Sequence, residues 1–209
     1  MNLRLPVAAI TAAGASSRMG RPKALLPWNG KPLLEHMIAA LRGAGLERIA
    51  VVTGAGRRQI EASALRLRVD VAHNANHAAG RFSSVQVAAR WARGEPLLLW
   101  PVDCPAVAVR TLRALVEEAR ERPDASVVPR HGARCGHPVI LPGSVVAAMA
   151  GAEAEGNLRQ WVRAAPGGRV TVSVWDPAVL DNLNTPLDYR CFLETRPPAT
   201  TVETEVDHG

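Results

Sequence analysis

The 209-residue sequence lacks most of the features by which several protein classes declare themselves. Aromatic residues make up 4% of the chain, with 5 Trp, 2 Phe and 1 Tyr, and so few Phe and Tyr do not suggest the stacking platforms that hold single-stranded nucleic acid. The 3 cysteines, Cys104, Cys135 and Cys191, are odd in number and far apart. There is therefore no Cys-x-x-Cys pair to clamp zinc or exchange disulfides, and a reducing compartment is expected. No apolar run approaches the roughly 20 residues of a membrane-spanning helix. The formal net charge of +6 favours anionic partners, but the arginines are dispersed, so a nucleic-acid partner is not expected. A hydrophobic fraction of 47% with 21% charged residues is that of a globular domain with one substantial core.

The two commonest phosphate-binding loops are missing as well. A Walker loop needs Gly-Lys followed by Ser or Thr, and here Gly30-Lys31 is followed by Pro32. A dinucleotide fingerprint needs Gly-x-Gly-x-x-Gly, and Gly14 is followed by Ser16 and Met19 where glycines should stand. What is present is an apolar run, Val7 to Thr11, suited to a buried strand, which breaks into small residues and cations up to Lys23. Small side chains at Ala13, Gly14 and Ala15 let backbone N–H groups face a ligand, while Arg18, Arg21 and Lys23 supply charge opposite to a phosphate chain. The stretch reads as a polyphosphate cradle; a strand ending in a basic surface loop is the alternative.

The order of residues in this loop resembles the signature of the MobA-like nucleotidyltransferases, which move a nucleoside monophosphate from a triphosphate to an acceptor. That signature runs Leu-Ala-Ala-Gly-x-Ser/Gly-x-Arg-Met-Gly, with a Lys a few residues on. Ala12, Ala13, Gly14, Ser16, Arg18, Met19, Gly20 and Lys23 match it, and Thr11 replaces the Leu. The resemblance implies that Ala12, Ala13, Gly14, Ala15, Ser16, Arg18 and Lys23 bind the nucleotide, with Arg18 and Lys23 also catalytic. It runs through Leu5 to Ala15, an apolar segment that could be mistaken for a signal peptide, so the expected location is cytoplasmic.

The rest of the chain alternates strand and helix patterns. Leu33 to Arg42 has helical periodicity and stops at Gly43 and Gly45; Ile49 to Val52 reads as a strand, Arg57 to Leu67 as a helix and Val69 to Ala72 as a third strand. The expected fold class is α/β, a Rossmann-like three-layer α/β/α arrangement around a mostly parallel sheet, with ligands at the carboxyl ends of the strands. Residues 1–195 are expected to form a single nucleotidyltransferase domain, and 196–209, which lack an apolar face, a disordered tail. A helix from Val85 to Arg93 is expected to be capped by Ser83 and Ser84. The resemblance adds Asn74, Gly80 and Ser84 as nucleotide-binding residues, an ordinary capped helix being the alternative for the serines.

Leu97 to Val102 is the apolar run of a central strand, and it delivers Asp103-Cys104-Pro105 at its end. A carboxylate there needs a cation or donors, and beside a triphosphate the natural cation is Mg2+, bound through one or two carboxylates and phosphate oxygens. Asp103 matches the family's metal-binding Asp-x-Pro, which implies a catalytic role. Gly136-His137-Pro138-Val139 looks like the Gly-His-Pro of the molybdopterin cytidylyltransferases and implies that His137 and Pro138 contact the acceptor. The stretch Asp181 to Tyr189 resembles the closing motif of those enzymes, usually Asp-Ile-Asp-Thr-Pro-x-Asp. Asn182 and Asn184 each remove a carboxylate from it, as in the guanylyltransferase branch. Asn184 is then the expected second Mg2+ ligand; capping of the last helix, Leu187 to Leu193, by Asn184 and Thr185 is the alternative.

These residues together imply a Mg-dependent enzyme that transfers CMP from CTP to a phosphorylated acceptor, molybdopterin before others, and releases pyrophosphate. The implied partners are the nucleoside triphosphate, the acceptor and a molybdoenzyme that receives the finished cofactor, with no nucleic acid and no membrane. Ala12-Ala13-Gly14 and Gly136-His137-Pro138 favour CTP, whereas the closing asparagines favour GTP. Transfer to a sugar or polyol phosphate is one rival reading, and a non-catalytic molybdopterin carrier is another. Asp103 argues against the carrier, which has no need of a metal carboxylate beside a triphosphate loop.

Overall fold

The computed structural model describes residues 5–16, 19–152 and 156–196. Strand β1 (Val7–Thr11) leads through the signature loop to a short hairpin, β2 (Pro27–Trp28) and β3 (Lys31–Pro32). Asn29 and Gly30 both have positive φ in its turn, the geometry that matches strand twist in two-residue hairpins. There follow α1 (Leu33–Gly43), β4 (Ile49–Thr53), α2 (Arg57–Arg66), β5 (Asp70–His73), α3 (Arg81–Ala92) and β6 (Leu97–Pro101). The second half comprises α4 (Val109–Glu121), β7 (Ser126–His131), β8 (Arg134–Cys135), β9 (Val139–Leu141), α5 (Gly143–Ala150), α6 (Leu158–Arg163), β10 (Arg169–Ser173) and α7 (Pro186–Thr195).

The main sheet runs in the order β10-β7-β9-β6-β1-β4-β5, with β8 added against β7. β1 is parallel to β4 and β6, β4 to β5, and β7 to β10, in keeping with a mostly parallel sheet. β9 is the exception, antiparallel to β6 and β7. The chain returns from β7 to β9 through β8 and a few residues, too short for the crossover that a parallel neighbour requires.

Helices cover both faces. Ala8 and Ile10 of β1 point into a core with Leu34, Met37 and Leu41 of α1, Ile60 of α2 and Leu112 and Leu115 of α4. Val7 and Ala9 point the other way, against Val85, Ala88 and Ala89 of α3, Val146 and Met149 of α5 and Val162 of α6. Burial on both faces is why β1, β4 and β6 are nearly continuous apolar runs. A third cluster, Leu26, Trp28, Leu33, Leu183 and Phe192, docks α7 beside the hairpin.

Two boundaries differ from the sequence expectation. Helix α3 begins at Arg81, so Ser83 and Ser84 lie inside its first turn and do not cap it. Gly80 precedes the helix at φ 104, ψ 178, a conformation that side chains disfavour, so the helix starts from backbone geometry rather than from a serine cap. At the C-terminal end, Arg196 is anchored: it donates to both carboxylate oxygens of Asp181, at 2.7 and 3.2 Å, and its carbonyl accepts from Trp28 Nε1 at 3.1 Å. The rest of the expected tail, 197–209, lies outside the described residues. Among the described residues no helix is long and apolar enough to cross a membrane.

Ile10 is fully buried at the centre of the sheet, while Leu65 on α2 is 69% exposed. Ile10→Ala should therefore lower the unfolding free energy by about 2–5 kcal/mol, and Leu65→Ala should change it by less than about 0.5 kcal/mol. Urea unfolding followed by circular dichroism measures both.

Candidate active site

The β1–β6 pairing, with Thr11 opposite Pro101, brings the two following loops out side by side at the carboxyl end of the sheet. The order of strands reverses there, which in open α/β sheets leaves a crevice for ligands. The crevice is a cleft of about 1420 Å³. Ala12, Ala13, Gly14, Ala15, Ser16 and Lys23 line it, together with Gly80, Ser84, Asp103, His137, Asn182 and Asn184. Arg18 lies outside the described residues. Asn74 and Pro138 are not among the lining residues.

The signature loop is held open by its own backbone. Ala12 N donates to Val52 O at 2.9 Å, and Ala13 O accepts from Ala55 N at 3.1 Å. Gly54 is required for that approach, because a Cβ there would stand 2.6 Å from Ala13 O. Ser16 Oγ accepts from Lys23 N at 3.1 Å and closes the loop on itself. A Cβ on Gly14 would meet nothing within 4 Å, so the backbone at this position faces open space, as an anion cradle must. Arg21, grouped with the loop cations by sequence, lines a separate hollow of about 610 Å³ with Arg57 and Arg58.

Lys23 Nζ donates to Asn184 Oδ1 at 2.9 Å, which ties the signature loop to the closing motif. Asn184 is held in turn by α7: its N–H and that of Thr185 donate to Asp188 Oδ2 at 2.9 and 2.8 Å. Those backbone bonds keep the Asp188 carboxyl below its usual range. Thr185 Oγ1 accepts from Asp188 N, completing a capping box. Thr185 is thus the helix cap, while the side chain of Asn184 turns to Lys23. Asp103 reaches the same cleft, and its carbonyl accepts from Leu183 N at 2.8 Å. Its carboxylate makes no hydrogen bond or ion pair among the described residues.

A strap formed by residues 176–183 joins Asp103 to the Gly-His-Pro turn. Asp176 is buried and accepts from Ala108 N at 2.9 Å, Thr111 Oγ1 at 2.7 Å and Ala178 N at 3.1 Å. Cys104 Sγ donates to Ala178 O at 3.0 Å; burial pushes this thiol well up, and nearby Asp181, Asp103 and Asp176 add to the effect. It is a neutral packing thiol. Val179 O accepts from His137 N at 2.8 Å, and a Cβ on Gly136 would stand 2.1 Å from that same oxygen. Only glycine fits before His137. The His137–Pro138 peptide is cis.

His137 is held below the usual imidazole value by burial, with Asp103 opposing and Arg81 assisting. It is therefore neutral at neutral pH, and its Nδ1 is buried without a hydrogen-bond partner among the described residues. Asn74 stands behind the cleft wall: its amide donates to Ser83 Oγ at 2.8 Å and Ser84 Oγ at 3.0 Å, and its Oδ1 accepts from Asn76 N at 3.0 Å. Among the lining residues that sequence reasoning missed are four arginines, Arg81, Arg134, Arg159 and Arg169. They come singly from different elements, and no spacing links them.

Residues 8–170 match the sequence model of the MobA-like NTP transferase domain. The chain is 33% identical over 205 residues to a molybdenum cofactor guanylyltransferase of Xanthomonas euvesicatoria, covering 94% of this chain and 100% of that protein. It is 29% identical over 182 residues to a molybdenum cofactor cytidylyltransferase of Escherichia coli, covering 86% and 91% respectively. Among solved structures, a nucleotidyl transferase from a Methanothermobacter superposes with a TM-score of 0.76 at 25% identity, over 91% of this chain and 97% of that one.

A lowered imidazole value has a sign in stability. The unfolded chain binds the proton more tightly than the folded one, so the contribution of His137 is whole above the ordinary value of 6.5 and is lost as pH falls below it. His137→Gln should therefore lose less stability than the parent between about pH 7.5 and pH 5.5. Equal losses in urea midpoint for the two proteins would remove His137 from the pH response.

Proposed function

The chain belongs to the MobA-like NTP transferase family, and on that premise we propose that it transfers CMP from CTP to the phosphate of molybdopterin, releasing pyrophosphate. The observation that carries this reading is the meeting of Lys23, the open signature loop, Asp103 and His137 in one cleft. An oxygen of the acceptor phosphate attacks the α-phosphorus in line. A new P–O bond forms as the bond to the β-phosphate oxygen breaks, and the electron pair leaves on pyrophosphate. An ionised phosphate is already a nucleophile and asks for no general base, so the protein's part is positioning and charge. Backbone N–H groups from Ala12 to Ser16 and the Lys23 ammonium meet the departing phosphates. Arg18, by the family signature, joins them. Ser84 and Gly80 border the nucleotide, Asn74 positions Ser84 from behind, and His137 borders the acceptor.

The donor set in the cleft fits a hard divalent cation. Asp103 offers a carboxylate with no hydrogen bond or ion pair among the described residues, and Asn184 a carbonyl oxygen that here accepts from Lys23 Nζ; the described residues contain no group of three or more His, Cys, Asp or Glu that could hold a metal alone. Mg2+ characteristically takes one or two protein oxygens and completes its shell with phosphate oxygens and water. When bound, it offsets the charge that develops on the phosphate oxygens.

CTP is the proposed donor because the loop carries Ala13, whose methyl packs at Gly54, where guanylyltransferases of the family usually have a second glycine. The closing asparagine that favours GTP by resemblance reaches Lys23, at the phosphate end of the site, and so does not speak to the base. GTP is the second reading, favoured by the guanylyltransferase that is 33% identical to this chain.

Incubation with each of the four nucleoside triphosphates, Mg2+ and molybdopterin should release pyrophosphate fastest with CTP; no release with any of them would sink the proposal. Lys23→Ala should lower kcat by about 100-fold or more while the circular dichroism spectrum is kept. A separate titration addresses the metal. Asp103→Asn and Asn184→Leu should each raise the Mg2+ concentration for half-maximal rate, and a curve unchanged in both variants would leave these residues without the role assigned.

A further inference from the structure

The two edges of the main sheet are finished differently. At one edge β5 is four residues long and starts with Asp70, whose carboxylate accepts from Trp91 Nε1 at 3.0 Å. A short strand and a charge are usual means of keeping an edge from pairing with another chain. At the other edge β10 carries a charge only at its first residue, Arg169, and has no proline. Val170, Thr171 and Val172 follow, a β-branched run suited to pairing. Val174 N donates to Arg130 O at 2.9 Å, so the ladder with β7 continues until the chain bends at Trp175. Trp175 is 93% exposed and makes no hydrogen bond or ring contact among the described residues. The other four tryptophans are buried or packed against the cores. Exposed aromatics of this size are the side chains in which interface energy concentrates.

The pairing with β7 fixes which way the backbone of β10 faces. Ser126 N donates to Gly168 O and Val174 N to Arg130 O, so the even-numbered residues of this stretch turn their N–H and C=O groups to β7. Alternate residues of a strand direct these groups to opposite sides. Those of Arg169, Thr171, Ser173 and Trp175 therefore point outward, and no hydrogen bond among the described residues takes them. The side chains of the same four residues are exposed. Val172 and Val174 turn to the other face and pack against the first core.

We infer that β10 is the docking edge for a second copy of this chain, added antiparallel about a two-fold axis at Val172. Around that centre the outward-pointing residues meet one another: Thr171 faces the partner's Ser173 and Arg169 faces the partner's Trp175. Each pair occurs twice, and each is of the kind that exchanges two backbone hydrogen bonds. Val170 lies across from the partner's Val174, and the two Val172 side chains meet at the axis. The guanidinium falls beside an indole, with no like charge opposite it. A centre at Thr171 would use the same backbone groups, but Arg169 would then face Ser173 and the indole would have only Gly167 across from it. Of the roughly 1,000 Å² that a specific interface needs, two indoles supply roughly 300–500 Å². Such a contact fits a reversible dimer. Arg169 lines the cleft, so each copy sets an indole at the rim of the other's cleft, whichever reaction that cleft performs.

The test is sedimentation equilibrium of the full chain, without substrate, over a wide range of protein concentration. The parent should show a reversible monomer–dimer equilibrium. Trp175→Lys alters an exposed side chain, sets a cation opposite Arg169 and should raise the dimer Kd at least about tenfold. Adding Arg169→Asp to it brings opposite charges together at the same place and should return the Kd to within about threefold of the parent. Thr171→Pro removes an outward N–H and leaves the β7 ladder alone; it should prevent the dimer while the circular dichroism spectrum is kept. A parent that stays monomeric at every concentration, even if another protein takes this edge, would overturn the inference. So would a dimer whose Kd is the same in Trp175→Lys, or one that the charge pair fails to restore.

Discussion

Because β1 pairs in register with β6 from Val7–Leu97 to Thr11–Pro101, the signature loop and the segment carrying Asp103 leave the sheet at the same height and on neighbouring strands. Everything chemical in the cleft depends on that pairing. It is a pairing of buried strands, with Ala8, Ile10, Leu98 and Trp100 in one core and Val7, Ala9, Leu97 and Leu99 in the other. A slip of one residue would exchange the two sets of side chains and move the loop relative to the carboxylate. Two-sided burial therefore protects the geometry of the site as much as the stability of the sheet.

A second layer of constraint comes from the end of the chain. Residues 176–184 form a strap that touches Asp103 through Leu183, Cys104 through Ala178, His137 through Val179 and Lys23 through Asn184. Its fixed point is the buried Asp176 carboxylate, whose oxygens accept from two backbone N–H groups and the Thr111 hydroxyl. A buried carboxylate is tolerable only with such donors. Through the strap, one buried carboxylate outside the cleft sets the positions of residues on the signature loop, the loop after β6 and the Gly-His-Pro turn.

Charge within the cleft is graded. The loop end concentrates backbone N–H groups and Lys23 beside one unpaired acid, Asp103. His137 is neutral, since burial keeps its imidazole uncharged at neutral pH. The far end carries the guanidiniums of Arg81, Arg134, Arg159 and Arg169, which have no ion pair among the described residues, beside the apolar side chains of Leu99, Val128 and Val139.

Local patterns in the sequence carried a good deal of this. The apolar runs of β1, β4 and β6 declare two-sided burial, and the helical period of α1 is explicit, because each is written in consecutive residues. The Gly-His-Pro turn was legible as a motif, but the reason for its glycine, the carbonyl of Val179 lying where a Cβ would go, sits more than forty residues further on. Ser83 and Ser84 look like caps in a linear reading, yet the helix begins earlier and their hydroxyls face Asn74. Asn184 looks like a cap or a metal ligand, and only the packing of α7 against the hairpin directs it to Lys23. The arginines of the far lobe lie on α3, β8, α6 and β10, with no common spacing, and meet only when the sheet order brings those elements around one face. By itself the sequence determined the α/β alternation, the anion-binding loop and the carboxylate at the end of a central strand, since these depend on residues close in the chain. The tertiary structure alone decided which distant side chains share the cleft and which charges go unpaired, because hydrogen bonds and Coulomb interactions act through space.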